Sequence, residues 1–129
     1  LPGSQIKSTK INNSLICEGT IIDADEIENS IVGLRSFIKK GTKVKESILM
    51  GNTYYKSPAH QSYYLPKKFE IGKNCTINKT IIDEHVLIGD NVKLINKKGY
   101  SVYDGDGIYV RDGIIIVTMG TYLPDGFEF

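Results

Sequence analysis

The sequence predicts an all-β fold, a parallel β-helix of hexapeptide-repeat type with about 17 residues per coil and two loop insertions. Three observations predict it. Aliphatic residues recur at Ile71, Ile77, Ile82, Ile88 and Leu94, a step of six that once shrinks to five, with Gly72 and Gly89 beside it. A helix would repeat every three to four residues and a half-buried strand every second one, so this beat means short strands joined by regular turns. Second, four segments read aliphatic, two polar residues, Ser or Thr, two aliphatics: Ile11–Ile16 (INNSLI), Ile27–Val32 (IENSIV), Val44–Leu49 (VKESIL) and Ile77–Ile82 (INKTII). Third, the first three of these begin 16 and 17 residues apart and the fourth 33 later, which gives coils of three faces and one interruption.

The first coils, residues 4–51, carry the beat through Ile16, Ile22, Ile27, Val32, Ile38, Val44 and Leu49. Small or β-branched residues fall four positions after an aliphatic one at Thr20, Ser36, Thr42, Cys75, Val86 and Val92, where a tight triangular coil leaves room for only a modest inward side chain. Coils stacked at about 4.8 Å turn equivalent positions into ladders of Ile and Val inside the helix. Ser14, Ser30, Ser47 and Thr80 are expected to form a polar ladder whose hydroxyls bond turn backbone.

Residues 52–70 lack the beat, contain Pro58 and Pro66, and hold the pairs Tyr54/Tyr55 and Tyr63/Tyr64. A loop of this size in a compact domain is functional or disordered. Four amphipathic tyrosines favour an interface loop against another domain or subunit, with packing on the coil itself and a ligand role as alternatives. The coils resume over 71–95, and a second loop, 96–112, holds the DGDG turn at Asp104–Gly107. A calcium reading of Asp104 and Asp106 fails, because Ile108 stands where a third oxygen ligand is needed and no glutamate closes the loop. A final strand and cap occupy 113–129: Ile114–Val117, then a partial coil whose aromatics cover the open end.

The chain of 129 residues is one domain long, and its 16 basic and 15 acidic side chains leave a net charge of +1, which excludes a nucleic-acid or anionic-membrane surface as its main business. Lys39/Lys40, Lys67/Lys68 and Lys97/Lys98 read as solvated turns. Cys17 and Cys75 sit inside the repeat rather than in a disulfide framework, which suits a reducing compartment. No apolar run approaches the roughly 20 residues of a membrane span. No signal-peptide pattern opens the chain, and it begins with Leu1 rather than Met, so an upstream piece is expected.

Four blocks carry a family resemblance: VGLRS (Val32–Ser36), LMGNTYY (Leu49–Tyr55), IIDEHVLIGDNVKLIN (Ile81–Asn96) and GIYVRDGIIIV (Gly107–Val117). Together with the leading LPGSQ they resemble the C-terminal domain of glucose-1-phosphate adenylyltransferases (ADP-glucose pyrophosphorylases), whose versions read LPPSK, LMGADYY and a final SGI strand. The resemblance covers essentially the whole chain. It implies left-handed coils, an exception to the usual right-handed parallel crossover. It also implies a parent enzyme making ADP-glucose and pyrophosphate from ATP and glucose 1-phosphate for glycogen or starch, with Mg2+ and ATP bound in a separate N-terminal catalytic domain. No phosphate-cradling G-x-x-x-x-G-K-[ST] loop occurs here, so the piece is expected to be inert alone, without cofactor or metal. The further implications are a homo-oligomer, tetrameric in the family, a possible phosphorylated effector, and a cytoplasmic or, in a plant, plastid location.

In the family this domain forms part of an allosteric site that holds phosphorylated effectors through Lys and Arg, whose charge-assisted hydrogen bonds are about twice as strong as neutral ones. Two of those basic positions match Glu84 and Met119 here, so both cations are lost and Glu84 would repel a phosphate. Arg111, Lys93 and Arg35 are the remaining basic candidates, each with a plain surface role as the alternative.

Two rival readings use the same coil. Hexapeptide acyltransferases take a catalytic histidine from a coil position; His60 and His85 are available, and His85 on a repeat turn is the candidate base. A carbonic-anhydrase-type metal site needs three histidines and the chain has two. The non-enzymatic rival is a structural β-helix paired with a nucleotidyltransferase-like domain, against which the VGLRS and LMGNTYY blocks count.

Overall fold

A computed structural model describes residues 2–55 and 69–129. His60, Tyr63 and Tyr64 lie outside the described residues. Short strands wind into a three-sided coil. The first face stacks β1 (Gln5–Ile6), β4 (Ile21–Ile22) and β7 (Phe37–Ile38), then Ile71, then β12 (Leu87–Ile88) and β17 (Tyr122–Leu123). The second stacks β2 (Lys10–Asn12), β5 (Glu26–Glu28), β8 (Lys43–Lys45), β10 (Thr76–Asn78) and β13 (Lys93–Leu94), with Glu128 bridged to Lys93 beyond it. The third stacks β3 (Leu15–Ile16), β6 (Ile31–Val32), β9 (Ile48–Leu49), β11 (Thr80–Ile82) and β16 (Ile114–Val117). Neighbouring coils pair in parallel throughout these faces.

The register explains the six-residue beat. Each inward aliphatic sits on its counterpart one coil away: Ile22 on Ile38, Ile27 on Val44, Val32 on Leu49, and Ile82 on both Leu49 and Val117. From Ile22 to Leu94 these ladder positions are buried, and so are Thr20, Ser36, Thr42, Cys75, Val86 and Val92. Ile11 and Ile16 are only partly buried and Ile6 is 47% exposed, because the first coil has no coil above it.

Most corners place one residue in the left-handed region, the tighter turn at Asp23–Asp25 being an exception, and the sequence supplies a residue that tolerates it or is held there. Asn13, Asn29, Glu46 and Lys79 take φ of 47 to 48° between the second and third faces. Gly19, Arg35, His85 and Gly120 do so between the third and the first. Asparagine and glycine adopt this region at little cost, whereas Arg35 and His85 must be held there by their surroundings. The hydroxyl ladder forms as expected. Ser30 Oγ donates to the Glu28 carbonyl (2.7 Å) and accepts the Ser47 N–H (3.1 Å), and Ser47 Oγ donates to Lys45 (2.7 Å) and accepts the Thr80 N–H (3.1 Å).

The stretch 96–112, read from sequence as a loop, is partly regular. It contains β14 (Val102–Asp104) and β15 (Ile108–Arg111), an antiparallel ribbon that pairs with β16 and widens the third face. Ile108 and Val110 are buried and alternate with Tyr109, a period of two that a search for period six passes over. The ribbon turns at Asp112–Gly113, both at positive φ (51° and 78°), the geometry that hairpins of this twist favour. The chain then completes the fifth coil with β16 and ends in a partial coil, with Tyr100, Tyr103 and Phe129 clustered across the open end.

The outer surfaces differ. The second face presents Lys10, Glu26 and Lys43 in one row, and Lys45 pairs loosely with Glu26 (3.9 Å) and Glu28 (3.6 Å). The third face presents Leu15, Ile31, Ile48, Ile81 and Ile116 in one row.

Candidate functional site

The corner between the third and first faces gathers the residues of interest. Five turns stack there: Glu18–Gly19, Leu34–Arg35, Gly51–Asn52, Glu84–His85 and Met119–Gly120. Arg35 N–H donates to the Glu18 carbonyl (3.2 Å), Asn52 N–H to Leu34 (2.7 Å) and Gly120 N–H to Glu84 (3.3 Å). The ladder changes character where the main chain leaves for the first insertion. There the Asn52 side chain takes the place of a backbone acceptor: its Oδ1 accepts the His85 N–H (3.0 Å) and its Nδ2 donates to the Arg35 carbonyl (3.1 Å). Sequence reasoning passed over Asn52, whose signal is its place where the repeat breaks.

The described ends of the insertion close over this corner. Thr53 N–H donates to His85 Nε2 (3.1 Å), and the imidazole packs on Phe69 (centroids 4.6 Å apart) and stacks with Tyr54 (5.9 Å). The Tyr55 hydroxyl donates to the Gly19 carbonyl two turns up the same corner (2.8 Å), while Tyr54 keeps half its surface exposed. His85 therefore works as a clasp. Its Nε2 lone pair is taken by a backbone donor and its ring packs on Phe69 and Tyr54, so it offers no free base toward an acyl acceptor.

Glu84 and Met119 are brought together, one turn above the other, by the Gly120 to Glu84 bond. Beside them stands another acid, Asp83, whose Oδ1 accepts the Glu84 N–H (2.7 Å). Of the three basic candidates only Arg35 shares this corner, and its Nη1 donates to the Asn52 carbonyl (3.2 Å). Arg111 pairs with Asp104 (2.6 Å) opposite Ile114, at the far end of β16 from Met119. Lys93 projects from the second face beside Glu128 (3.8 Å). The structure thus does not assemble Arg111, Lys93 and Arg35 into one site.

Among the described residues no group of three or more His, Cys, Asp or Glu side chains is placed to hold a metal ion. Nor is any helix among them long and apolar enough to cross a membrane.

Triangular coils, left-handed corner residues and a loop clasped at one corner define a hexapeptide-repeat parallel β-helix domain. The chain belongs to the GLGC left-handed parallel beta-helix domain family, whose pattern matches residues 1–127. It is 36% identical over 131 residues to the glucose-1-phosphate adenylyltransferase small subunit, chloroplastic/amyloplastic, of Triticum aestivum, an alignment covering 98% of this chain and 28% of that protein. The chain therefore spans well under a third of that relative's length, and its coils are those of a left-handed helix.

Proposed function

We propose that the chain is the C-terminal oligomerisation and regulatory domain of an ATP:glucose-1-phosphate adenylyltransferase, the reaction that yields ADP-glucose and pyrophosphate for glycogen or starch. The observation that carries this reading is family membership across residues 1–127 together with the 36% identity to the wheat small subunit. Catalysis, ATP and Mg2+ belong on this reading to an N-terminal domain, and the piece alone is inert. A cytoplasmic location, or a plastid one in a plant, accompanies it.

A partner is supported by the third face. Leu15 (65% exposed), Ile31 (38%) and Ile48 (37%) line up in register on its outer side, beside exposed Leu34, Met50 and Met119. Contiguous apolar surface of this kind marks an interaction site. A catalytic domain or a second subunit of a homo-oligomer would cover it.

The corner of Glu84 and Met119 supports weakened control by phosphorylated effectors, since acid has replaced the expected cation there. The test is the parent enzyme assayed for ADP-glucose with Mg2+, ATP and glucose 1-phosphate. Activity in the parent and none in the isolated chain is expected. Weak activation by fructose 1,6-bisphosphate or 3-phosphoglycerate, strengthened in Glu84→Lys, is also expected. Strong activation of the parent that Glu84→Lys leaves untouched would refute the regulatory half.

A further inference from the structure

Where the second face meets the antiparallel ribbon, at the opposite end of the coil from the first turn, a cavity of about 480 Å³ opens. That volume lies in the range of small-molecule sites. Its wall is aromatic: Tyr103 stands 4.9 Å from Tyr100 and meets Phe129 edge-on at 5.0 Å, with exposed Ile95 alongside. Its rim is basic, formed by Lys93, Lys97 and Lys98.

Three cations face one carboxylate. Lys93 meets Glu128 at 3.8 Å, with both side chains more than half exposed, a pair too wet to hold the charge strongly. Lys97 and Lys98 have no ion-pair partner among the described residues. The turn that carries them is nonetheless fixed. Asn96, itself at φ 55°, donates from Nδ2 to the Tyr100 carbonyl (2.8 Å) and accepts the Tyr100 N–H on Oδ1 (3.0 Å), and Gly99 N–H closes on the Asn96 carbonyl (2.9 Å). Pre-ordering of this kind lowers the entropy lost on binding.

We propose that this cavity binds a small planar aromatic phosphate, its ring against Tyr100 and Tyr103 and its phosphoryl oxygens on Lys97 and Lys98. An aromatic wall alone would take a neutral ring, and a lysine rim alone any anion. Ring stacking and charge-assisted hydrogen bonds together select a ligand that has both features. The site is separate from the Glu84 corner and its test does not depend on the adenylyltransferase reading.

The test is titration of the 129-residue chain with phenyl phosphate, inorganic phosphate and phenol, followed by calorimetry and by the NMR signals of Tyr100 and Tyr103. Phenyl phosphate is expected to bind saturably, about tenfold or more tighter than either half alone. The double variant Lys97→Ala/Lys98→Ala is expected to weaken it at least ~10-fold, the scale of losing one or two charged hydrogen bonds, with thermal unfolding unchanged. Lys40→Ala/Lys73→Ala, on another corner, is expected to bind as the parent chain does. No saturation at millimolar phenyl phosphate, equal affinity for inorganic phosphate or phenol, or equal loss in both double variants overturns the proposal.

Discussion

The backbone N–H of Thr53 donates to Nε2 of His85 at 3.1 Å, tying the start of the insertion to a turn 32 positions further along the chain. The bond needs Nε2 as an acceptor, so the proton of the neutral imidazole sits on Nδ1. His85→Ala removes that acceptor and the packing on Phe69 and Tyr54. A loss of about 1 to 2 kcal/mol in urea unfolding is expected from one hydrogen bond and one partly exposed ring contact. Mixing the chain with acetyl-CoA and an amino sugar is expected to give no turnover; turnover abolished by His85→Ala would restore the acyltransferase reading.

Gly72 and Gly89 stack at a corner where two coils approach closely. A Cβ on Gly72 would run into the Gly89 carbonyl, and one on Gly89 into Asp125. Gly113 is the contrast: its Cβ would meet nothing within 4 Å, but its φ is +78°. Gly113→Ala is expected to cost about 1 to 2 kcal/mol through the left-handed backbone alone. Gly72→Ala displaces packed backbone and is expected to cost about 3 kcal/mol or more. Equal melting temperatures for the two variants would show that the coils can separate locally.

The coils were legible because nearly every turn of the helix repeats one local problem, an inward aliphatic, a small inward residue and a left-handed corner, so Ile77, Cys75 and Asn74 each had a counterpart to be compared with. The two strands within 102–111 were not, since they occur once and the alternation of Ile108, Tyr109 and Val110 has no six-residue echo. Their signal was present in Asp112–Gly113, the dipeptide that a tight hairpin prefers. The apolar outer row of Leu15, Ile31 and Ile48 was equally visible, as the first of the two aliphatics in each repeated turn, but the repeat alone does not say that it points outward. Asn52, Thr53 and Phe69 meeting His85 follows from the folded path of the chain, which brings both ends of an insertion back to one corner.

Inside the hydroxyl ladder, Ser47 both donates to Lys45 and receives the Thr80 N–H, and it is 2% exposed. Ser47→Ala leaves the Thr80 N–H buried without an acceptor. The expected cost is about 1 to 3 kcal/mol, with Ser47→Thr recovering most of it. Ser14 has the same role in the first coil, at the open end where water reaches it, so Ser14→Ala is expected to cost less. Urea unfolding of the three variants checks the order, and a Ser14→Ala loss as large as that of Ser47→Ala would contradict the ladder account.

Cys75 is 1% exposed, with its Sγ 3.1 Å from the Gly89 carbonyl, to which the thiol donates. Burial pushes its pKa above the ordinary thiol value, outweighing the hydrogen bonds from the Val92 backbone and the Thr42 side chain that favour the thiolate. The folded chain therefore keeps a proton that the unfolded chain releases near pH ~8.5. The sign follows: below that pH both states hold the proton and nothing is lost, and above it the unfolded state gains by ionising. Stability is then expected to fall by up to about 1.4 kcal/mol per pH unit until the folded thiol itself ionises. Cys75→Ala, less stable at neutral pH because of the cavity it leaves, is expected to lose less additional stability between neutral pH and about pH 10. Urea unfolding of both proteins at the two pH values measures this, and parallel losses would mean that Cys75 ionises as freely in the coil as in the unfolded chain.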